Sequence, residues 1–429
     1  MIRFDLFGLA ARTAILVGWL LVFSASVKAQ ESDSAEDYEG ATFETPEPAP
    51  EPDNAREREL AADEDPLEQQ KSEAEERKED QLQPGNFGLY GSVRVRHRWV
   101  GSEKIWSDGG SRIGATGSWR FNPAFKVFGR AEAGFNLLDQ IDFLLDRGDR
   151  PQGQKFGDTL FLRLLYAGFE SPGTVVTLGK NWSTFYRVSS FTDRFQGTGG
   201  SASGTYNAGT DGGYTGTGRA DRALQARFAI DTTNRETTFK PLGLGLQLQY
   251  GEPIPRVPGK EYGATLGLSS VYETDSGMAV GIAYNHAQID DADLSELQAV
   301  GIDGDATALI LGARWYGERW YAGTVVSRLD NHETTGQGIY FDGTGWEVYS
   351  QYQVSGPWWA IAGWNILEPD SGETQAGAFK IRYGVLGVRY SFQKFRQMIF
   401  ANVRFESGST QNGNRQSDVY TIGVRWDLP

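Results

Sequence analysis

Six arginines set the candidate chemistry. Arg94, Arg112, Arg130, Arg163, Arg219 and Arg227 all take the polar phase of segments that alternate between polar and apolar residues. Arginine stays cationic at any working pH. Like charges on neighbouring strands are tolerable only where water or a facing acid screens them. Fixed charge around a narrow aqueous path sorts ions by sign and orients dipolar solutes. That chemistry is recognition, with no bond made or broken.

Other chemistries find little support. There is no cysteine, so disulfides and thiol nucleophiles are excluded. His97 shares an outward phase with Val95 and Trp99, which suits an interface. His286 and His332 stand at strand or loop ends without metal-ligand spacing. No nucleophile–base pair stands out, so no enzyme is expected, and no cofactor or metal is implied. The glycine-rich stretch 197–218 lacks the G-K-[ST] ending of a phosphate loop. Nucleic acid is not an expected partner.

The elements that carry the arginines are strands. Residues 417–428, SDVYTIGVRWDL, put Tyr420, Ile422, Val424, Trp426 and Leu428 on one face. Thr421, Gly423, Arg425 and Asp427 take the other. The same alternation places Phe87, Leu89, Val93, Val95 and Trp99 opposite Ser92, Arg94, Arg96 and Arg98. Ile113, Ala115, Trp119 and Phe121 oppose Arg112, Thr116, Ser118 and Arg120, and Val127, Ala131 and Phe135 oppose Lys126, Arg130 and Glu132. Strands of this length, apolar on one face and polar on the other, suit a tilted crossing of a bilayer. Sixteen are expected, at 87–100, 110–121, 124–138, 159–170, 174–181, 218–231, 242–250, 261–274, 278–288, 305–316, 319–330, 343–355, 357–368, 379–392, 395–406 and 417–428. The strand 379–392 breaks phase near Gly384, where a bulge is expected.

Short turns alternate with long connections. NP (122–123), SPG (171–173), DSG (275–277), GER (317–319), SGP (355–357) and QKF (393–395) are short. The connection 101–109 reads as the first long one, which puts both chain ends on the short-turn, periplasmic side. With 54 Gly and 54 aromatic residues against 16 Pro, composition agrees with tight turns and aromatic girdles. The reading is all-β: a sixteen-stranded antiparallel transmembrane β-barrel.

Before the barrel come two segments. Residues 1–29 read as a signal peptide, with Arg3 and Arg12 near the start, the apolar run 13–25, and Val27-Lys28-Ala29 at the cleavage positions. Residues 30–85 hold 20 acids and five bases, whereas 86–429 are nearly balanced, with 35 acids and 33 bases. This acidic segment is expected to be disordered or helical and periplasmic. Leu60, Leu67 and Ala74 stand seven apart, a coiled-coil spacing that Pro66 interrupts. Asp290, Asp291, Asp293 and Glu296 gather on one external loop. They read as a solvated loop, or as a holder of a divalent cation among lipopolysaccharide phosphates.

Four stretches carry a family resemblance. RLLYAGF (163–169), LGKNWSTFY (178–186), FTDRFQGTGG (191–200) and TGRA (217–220) resemble the surroundings of the constriction loop in trimeric general porins of Gram-negative bacteria. The resemblance implies that the third long loop, 182–217, folds into the lumen. It places Arg112, Arg163 and Arg219 in an arginine cluster on the wall and Asp193 on the loop's acidic side. Gln196, Gly197 and Ser201 stand where the family carries Pro, Glu and Asp, so the acidic side is expected to be weak. Leu428, followed by Pro429, stands where the family's last strand ends in an aromatic. The pore constriction is thus expected at Arg94, Arg112, Arg130, Arg163, Asp193 and Arg219.

The resulting expectation is an outer-membrane porin, a homotrimer in outer-membrane lipid and lipopolysaccharide. It would pass small hydrophilic solutes and ions by passive diffusion, with a weak anion preference. A solute-specific channel, and a barrel-anchored envelope tether or adhesin, are the alternatives. A loop lying outside a plugged lumen would favour the tether.

Overall fold

The computed structural model describes residues 85–122, 124–138, 160–197, 199–230, 242–290, 294–393 and 396–428. The expected signal peptide, the acidic segment up to residue 84 and the connection 231–241 lie outside these residues.

The two-residue period builds strands throughout. The first eight are β1 (Gly85–Val100), β2 (Glu103–Asp108), β3 (Arg112–Asn122), β4 (Phe125–Phe135), β5 (Leu160–Ser171), β6 (Thr174–Trp182), β7 (Arg219–Ile230) and β8 (Leu242–Tyr250). Then come β9 (Ala264–Glu273), β10 (Met278–Ala287), β11 (Ala306–Tyr316), β12 (Trp320–Thr334) and β13 (Tyr340–Ser355). The last are β14 (Trp358–Pro369), β15 (Ile381–Gln393), β16 (Gln397–Glu406) and β17 (Val419–Leu428). All pair antiparallel, those from β3 to β17 with their neighbours in sequence, and β17 returns to β1 from Gly91↔Leu428 to Val100↔Val419. Closure leaves no unpaired edge, the condition for crossing hydrocarbon with strands.

Seventeen segments fill sixteen places. β1 pairs with β2 over Val95–Val100 and with β3 over Gly85–Ser92. The expected long connection 101–109 is therefore a two-residue turn, with Gly101 at φ 58°, and a strand that continues the hairpin. The real interruption is 109–111. Asp108 Oδ1 knits it by accepting from the backbone N–H of Gly110 at 2.7 Å and of Ser111 at 2.6 Å.

The expected bulge near Gly384 is absent. β15 keeps register with β14 and β16 through Tyr383, Gly384 and Val385, and the shift lies between Ser391 and Gln393. Tyr383 and Val385 face inward and are buried. They mimic a phase break because they meet protein inside the barrel rather than water.

The outer face is apolar. On β17, Tyr420, Ile422, Val424, Trp426 and Leu428 are each 43–51% exposed, whereas Thr421 and Arg425 are buried. Phe87, Leu89, Ile113, Leu248, Leu311 and Leu386 extend this belt around the sheet. Trp119, Phe121, Trp315, Trp320 and Trp358 gather beside the short turns, as an interfacial girdle does. An exposed apolar surface of this extent requires lipid. His97 lies on that face, its ring 4.2 Å from Trp99 and 4.5 Å from Trp106.

Candidate functional site

Residues 183–218, between β6 and β7, run along the face opposite the apolar belt. The outgoing leg passes strand after strand. Thr184 N–H donates to Gln247 Oε1 of β8 at 3.1 Å, and Arg187 Nη1 to Ser269 Oγ of β9 at 3.3 Å. Phe191 O accepts from the Tyr321 hydroxyl of β12 at 2.6 Å, and Thr192 donates to Glu347 Oε2 of β13 at 2.6 Å. At the tip, Asn402 Nδ2 of β16 donates to Gln196 O at 2.6 Å, and Arg96 Nη1 of β1 donates to Gly197 O at 3.2 Å. The returning leg retraces the path, meeting Asn365 of β14, Glu347 of β13, Ser327 of β12, Asn285 of β10 and Gln247 of β8.

Two wall side chains hold both legs. Glu347 takes Thr192 on one oxygen and the backbone N–H groups of Ala202 and Ser203 on the other, at 2.6 and 2.9 Å. Gln247 accepts from Thr184 N–H and donates to Gly216 O at 2.8 Å. Between these staples the loop buries Phe185, Val188, Phe191 and Phe195. Each such burial is worth about 1.5–3 kcal/mol.

The wall beneath the loop is made to receive it. Inward-facing glycines recur on five consecutive strands, at Gly281, Gly312, Gly323, Gly345 and Gly363. A Cβ at Gly345 would stand 1.8 Å from Ala202 O, and one at Gly323 would stand 2.1 Å from Phe191 O. Only glycine lets backbone pass backbone at that distance.

On β3, β4 and β5 three of the expected arginines meet, with Arg112, Arg163 and Glu132 buried. Arg163 Nε donates to Glu132 Oε1 at 2.7 Å. Arg130 Nη2 lies 3.1 Å from Glu132 Oε2, and its Nε donates to the Tyr90 hydroxyl at 2.6 Å. Tyr90 in turn donates to Glu132 at 2.8 Å, and Arg112 acts on the same carboxylate through its charge. Glu132 is thus the hub of this wall. Its alternation placed it inward, but nothing in its spacing marked it as the shared acceptor.

Arg163 reaches the group through a bulge. Glu132 pairs with Leu164 and Ala133 with Leu162, so Arg163 is the extra residue between them. Arg163 and Leu164 are both fully buried, whereas Leu162 and Leu165 are half exposed. Arg94 belongs to a neighbouring set: its Nε donates to Ser92 Oγ at 2.8 Å, and Ser92 donates to Asp427, which also holds Arg425.

Asp193 and Arg219 gather around Tyr206, on which Arg163 also acts by its charge. Asp193 Oδ2 accepts from the hydroxyls of Tyr186 at 2.9 Å and Tyr206 at 2.6 Å. Burial and the Asp193 charge push the Tyr206 hydroxyl well above its ordinary range. Arg219 lies over the Trp182 ring, 4.7 Å from its centre, with Nη1 3.7 Å from Asp211. Burial pushes the Asp211 carboxyl up, but Lys180 and Arg219 outweigh it and hold it below the usual carboxylate range. Gln196, Gly197 and Ser201 are seating groups: the first two accept through their carbonyls and Ser201 through its hydroxyl, from Tyr383 at 2.7 Å.

Among the described residues, no group of three His, Asp or Glu is placed to hold a metal. Of the acidic loop cluster, Asp291 and Asp293 lie outside the described residues, and Glu296 pairs with Lys260 at 2.7 Å.

The fold has solved counterparts. OmpF of Salmonella typhi, in complex with daunomycin, matches at TM-score 0.65 and 20% identity, over 80% of this chain and 98% of that one. OmpT of Vibrio cholerae, in-vitro folded and in trimer form, matches at 0.52 and 15%, over 81% and 100%. A triple mutant of Rhodopseudomonas blastica porin matches at 0.50 and 14%, over 80% and 100%. No curated protein matches the chain. The family model described as Gram-negative porin matches residues 73–428, the whole barrel included, and the chain therefore belongs to the Gram-negative porins, channels of the outer membrane.

Proposed function

We propose that this porin is a passive diffusion channel for small hydrophilic solutes and ions, narrowed by loop 183–218 against a wall of arginines. The carrying observation is the loop's footprint. It lies on the inner face from β8 to β16, touches β1 at Arg96, and makes its contacts with side chains of that face. The bare wall opposite presents Arg112, Arg130 and Arg163, with Arg94 beside them. Among the described residues three cations gather on one carboxylate there, which supports a positive wall. Asp193 is bonded to two tyrosines within the loop and offers little opposing charge. Fixed positive charge favours anions. The loop inside the barrel supports the channel over the tether reading.

The assembly reading follows the outer face. On β4, Gly129, Ala131 and Ala133 form a run of small outward residues, with Ala167 of β5 paired beside Gly129 and the outward Leu160, Leu162 and Leu165 flanking it. A flat apolar wall suits close packing against another copy in a homotrimer, as in the trimer form of OmpT. The remaining strands would face lipid, and the rim lipopolysaccharide. Gly85 and Leu428 both lie at the short-turn end, which we assign to the periplasm, with the acidic segment. The sequence divides into signal peptide, acidic segment and barrel.

Planar-bilayer recording tests the channel. In a potassium chloride gradient the reversal potential should show weak anion preference, and uncharged sugars should pass according to size. Strong cation selectivity, or no conductance from well-folded protein, would overturn the reading.

A further inference from the structure

A second group of cations lies on the short-turn side of the loop, away from Glu132. Arg187 comes from α1 (Tyr186–Ser189) in the outgoing leg. Its guanidinium occupies the space over two glycines of β8. A Cβ at Gly243 would stand 2.3 Å from Arg187 Nη2, and one at Gly245 3.1 Å from Nη1. Gly245 pairs with Arg227 on one side and Ser269 on the other, and Ser269 accepts from Arg187. Arg187 and Arg227 are therefore neighbours across bare backbone. Burial and the Arg227 charge lower the Arg187 guanidinium to about 10, which leaves it cationic at neutral pH.

The group continues toward the turns. Glu273 of β9 and Arg314 of β11 are an ion pair across Ala279. Arg314 stacks 4.6 Å from the Tyr316 ring centre. Arg194 of the loop donates to the Tyr316 hydroxyl at 2.7 Å and lies 3.9 Å from the Tyr321 ring centre. Glu273 links the two halves: it pairs with Arg314, and its charge acts on Arg187 beside Arg227, while Arg194 and Arg314 share Tyr316. Arg187 and Arg227 are partly open, and Glu273 keeps 34% of its side chain exposed.

We propose that Arg187, Arg227 and Arg314 form an anion-binding station on the short-turn side of the loop, selective for the divalent oxyanion of a phosphate group. Forked guanidinium donors match phosphate oxygens better than they match a halide. One divalent anion offsets most of the surplus charge. The station rests on the channel reading, since the anion must reach it through the lumen.

The test is chloride current through the reconstituted full chain with inorganic phosphate titrated in. Current should fall along a saturating curve. Arg227→Gln and Arg314→Gln should each raise the half-saturating concentration at least tenfold, with heat-modifiable migration on gels reporting an intact barrel. Arg328→Gln, which removes a cation from the outward face of β12, should leave it unchanged. Glucose 6-phosphate should saturate like free phosphate, and glucose should not. A linear, unsaturable effect, or an unchanged half-saturation in Arg227→Gln, overturns the station. An open channel indifferent to phosphate overturns the station alone, whereas an absent chloride current overturns the channel reading beneath it.

Discussion

The barrel has two inner walls, and they differ in kind. The wall under the loop, β9 to β15, is lined by Ala279, Ala283, Ala308, Ile310, Val325, Leu329, Tyr349 and Val385, with glycines between them. The other wall, β1 to β5, is bare of that apolar lining and carries Arg94, Arg112, Arg130, Glu132 and Arg163 on the same phase, all but Arg130 buried. Both walls show the same apolar face to lipid. The inward phase therefore reports what each strand meets inside. Apolar, glycine and hydrogen-bonding positions such as Glu347 and Asn365 meet the loop, and an arginine cluster marks the other wall. On the proposed reading the covered wall sets the aperture and the bare wall its charge.

The largest effect should come from breaking the seat. Gly345→Val places a branched side chain where a Cβ alone stands 1.8 Å from Ala202 O. Backbone cannot yield as a flexible side chain does, so the returning leg must lift. Overpacking of this kind costs about 1–3 kcal/mol. The expected result is a folded barrel with larger single-channel conductance and passage of larger sugars. Unchanged conductance would mean that the covered wall does not set the aperture.

Glu347→Ala should act on the same wall, less severely. It strips the acceptor from Thr192, Ala202 and Ser203, buried donors that cost roughly 1–3 kcal/mol each when left unmade. Gln247 still holds both legs elsewhere, so the loop should fluctuate rather than leave. Flickering current with a near-normal mean would be its signature, and a quiet channel would count against the staple.

Arg163→Ala addresses the bare wall alone. It removes one of the cations that hold Glu132, so the local balance moves toward negative. A unit charge at 4 Å in water is worth ~1 kcal/mol, or roughly a fivefold change in local ion ratio before screening. The reversal potential should move toward cations while conductance stays within about twofold. A change in sugar cut-off without a change in selectivity would erase the division of labour between the walls.

Much of this was legible in the sequence, and the misses share a cause. Alternation located the strands because lipid outside and water inside impose a period of two. It misled wherever the inside is protein. Tyr383 and Val385 looked like a phase break because their inward partner is the loop. The five glycines under the loop carried no warning, since a glycine in a strand shows no face. Arg163 was read on the polar phase of its segment, although a strict period of two counted from inward Tyr166 would have turned it to lipid. The bulge that turns it back is a relation between two strands. Glu132 and Glu347 were unmarked as hubs for the same reason: each is defined by what converges on it from far along the chain. The first long connection was misjudged because the six residues of β2 gain their pairing from the free upper half of β1.

The smallest expected effect concerns the segment that belongs to neither wall. Residues 30–84 precede β1, whose first residue Gly85 pairs with Trp119 at the short-turn end. With 20 acids against five bases the segment repels itself and offers little apolar surface for a core. A segment with so little apolar surface adds nothing to a core, so its deletion should leave barrel heat stability unchanged. Its charge is the one means by which it acts on the path, and that action depends on salt. At 1 M the screening length is about 3 Å, whereas at 0.01 M it is about 30 Å, enough to reach the basic short-turn side. Conductance of the deleted and full chains should therefore coincide at 1 M and diverge only in dilute salt. A difference that persists at 1 M would place the segment physically in the path, and loss of the trimer on deletion would make it a coiled-coil assembly element instead.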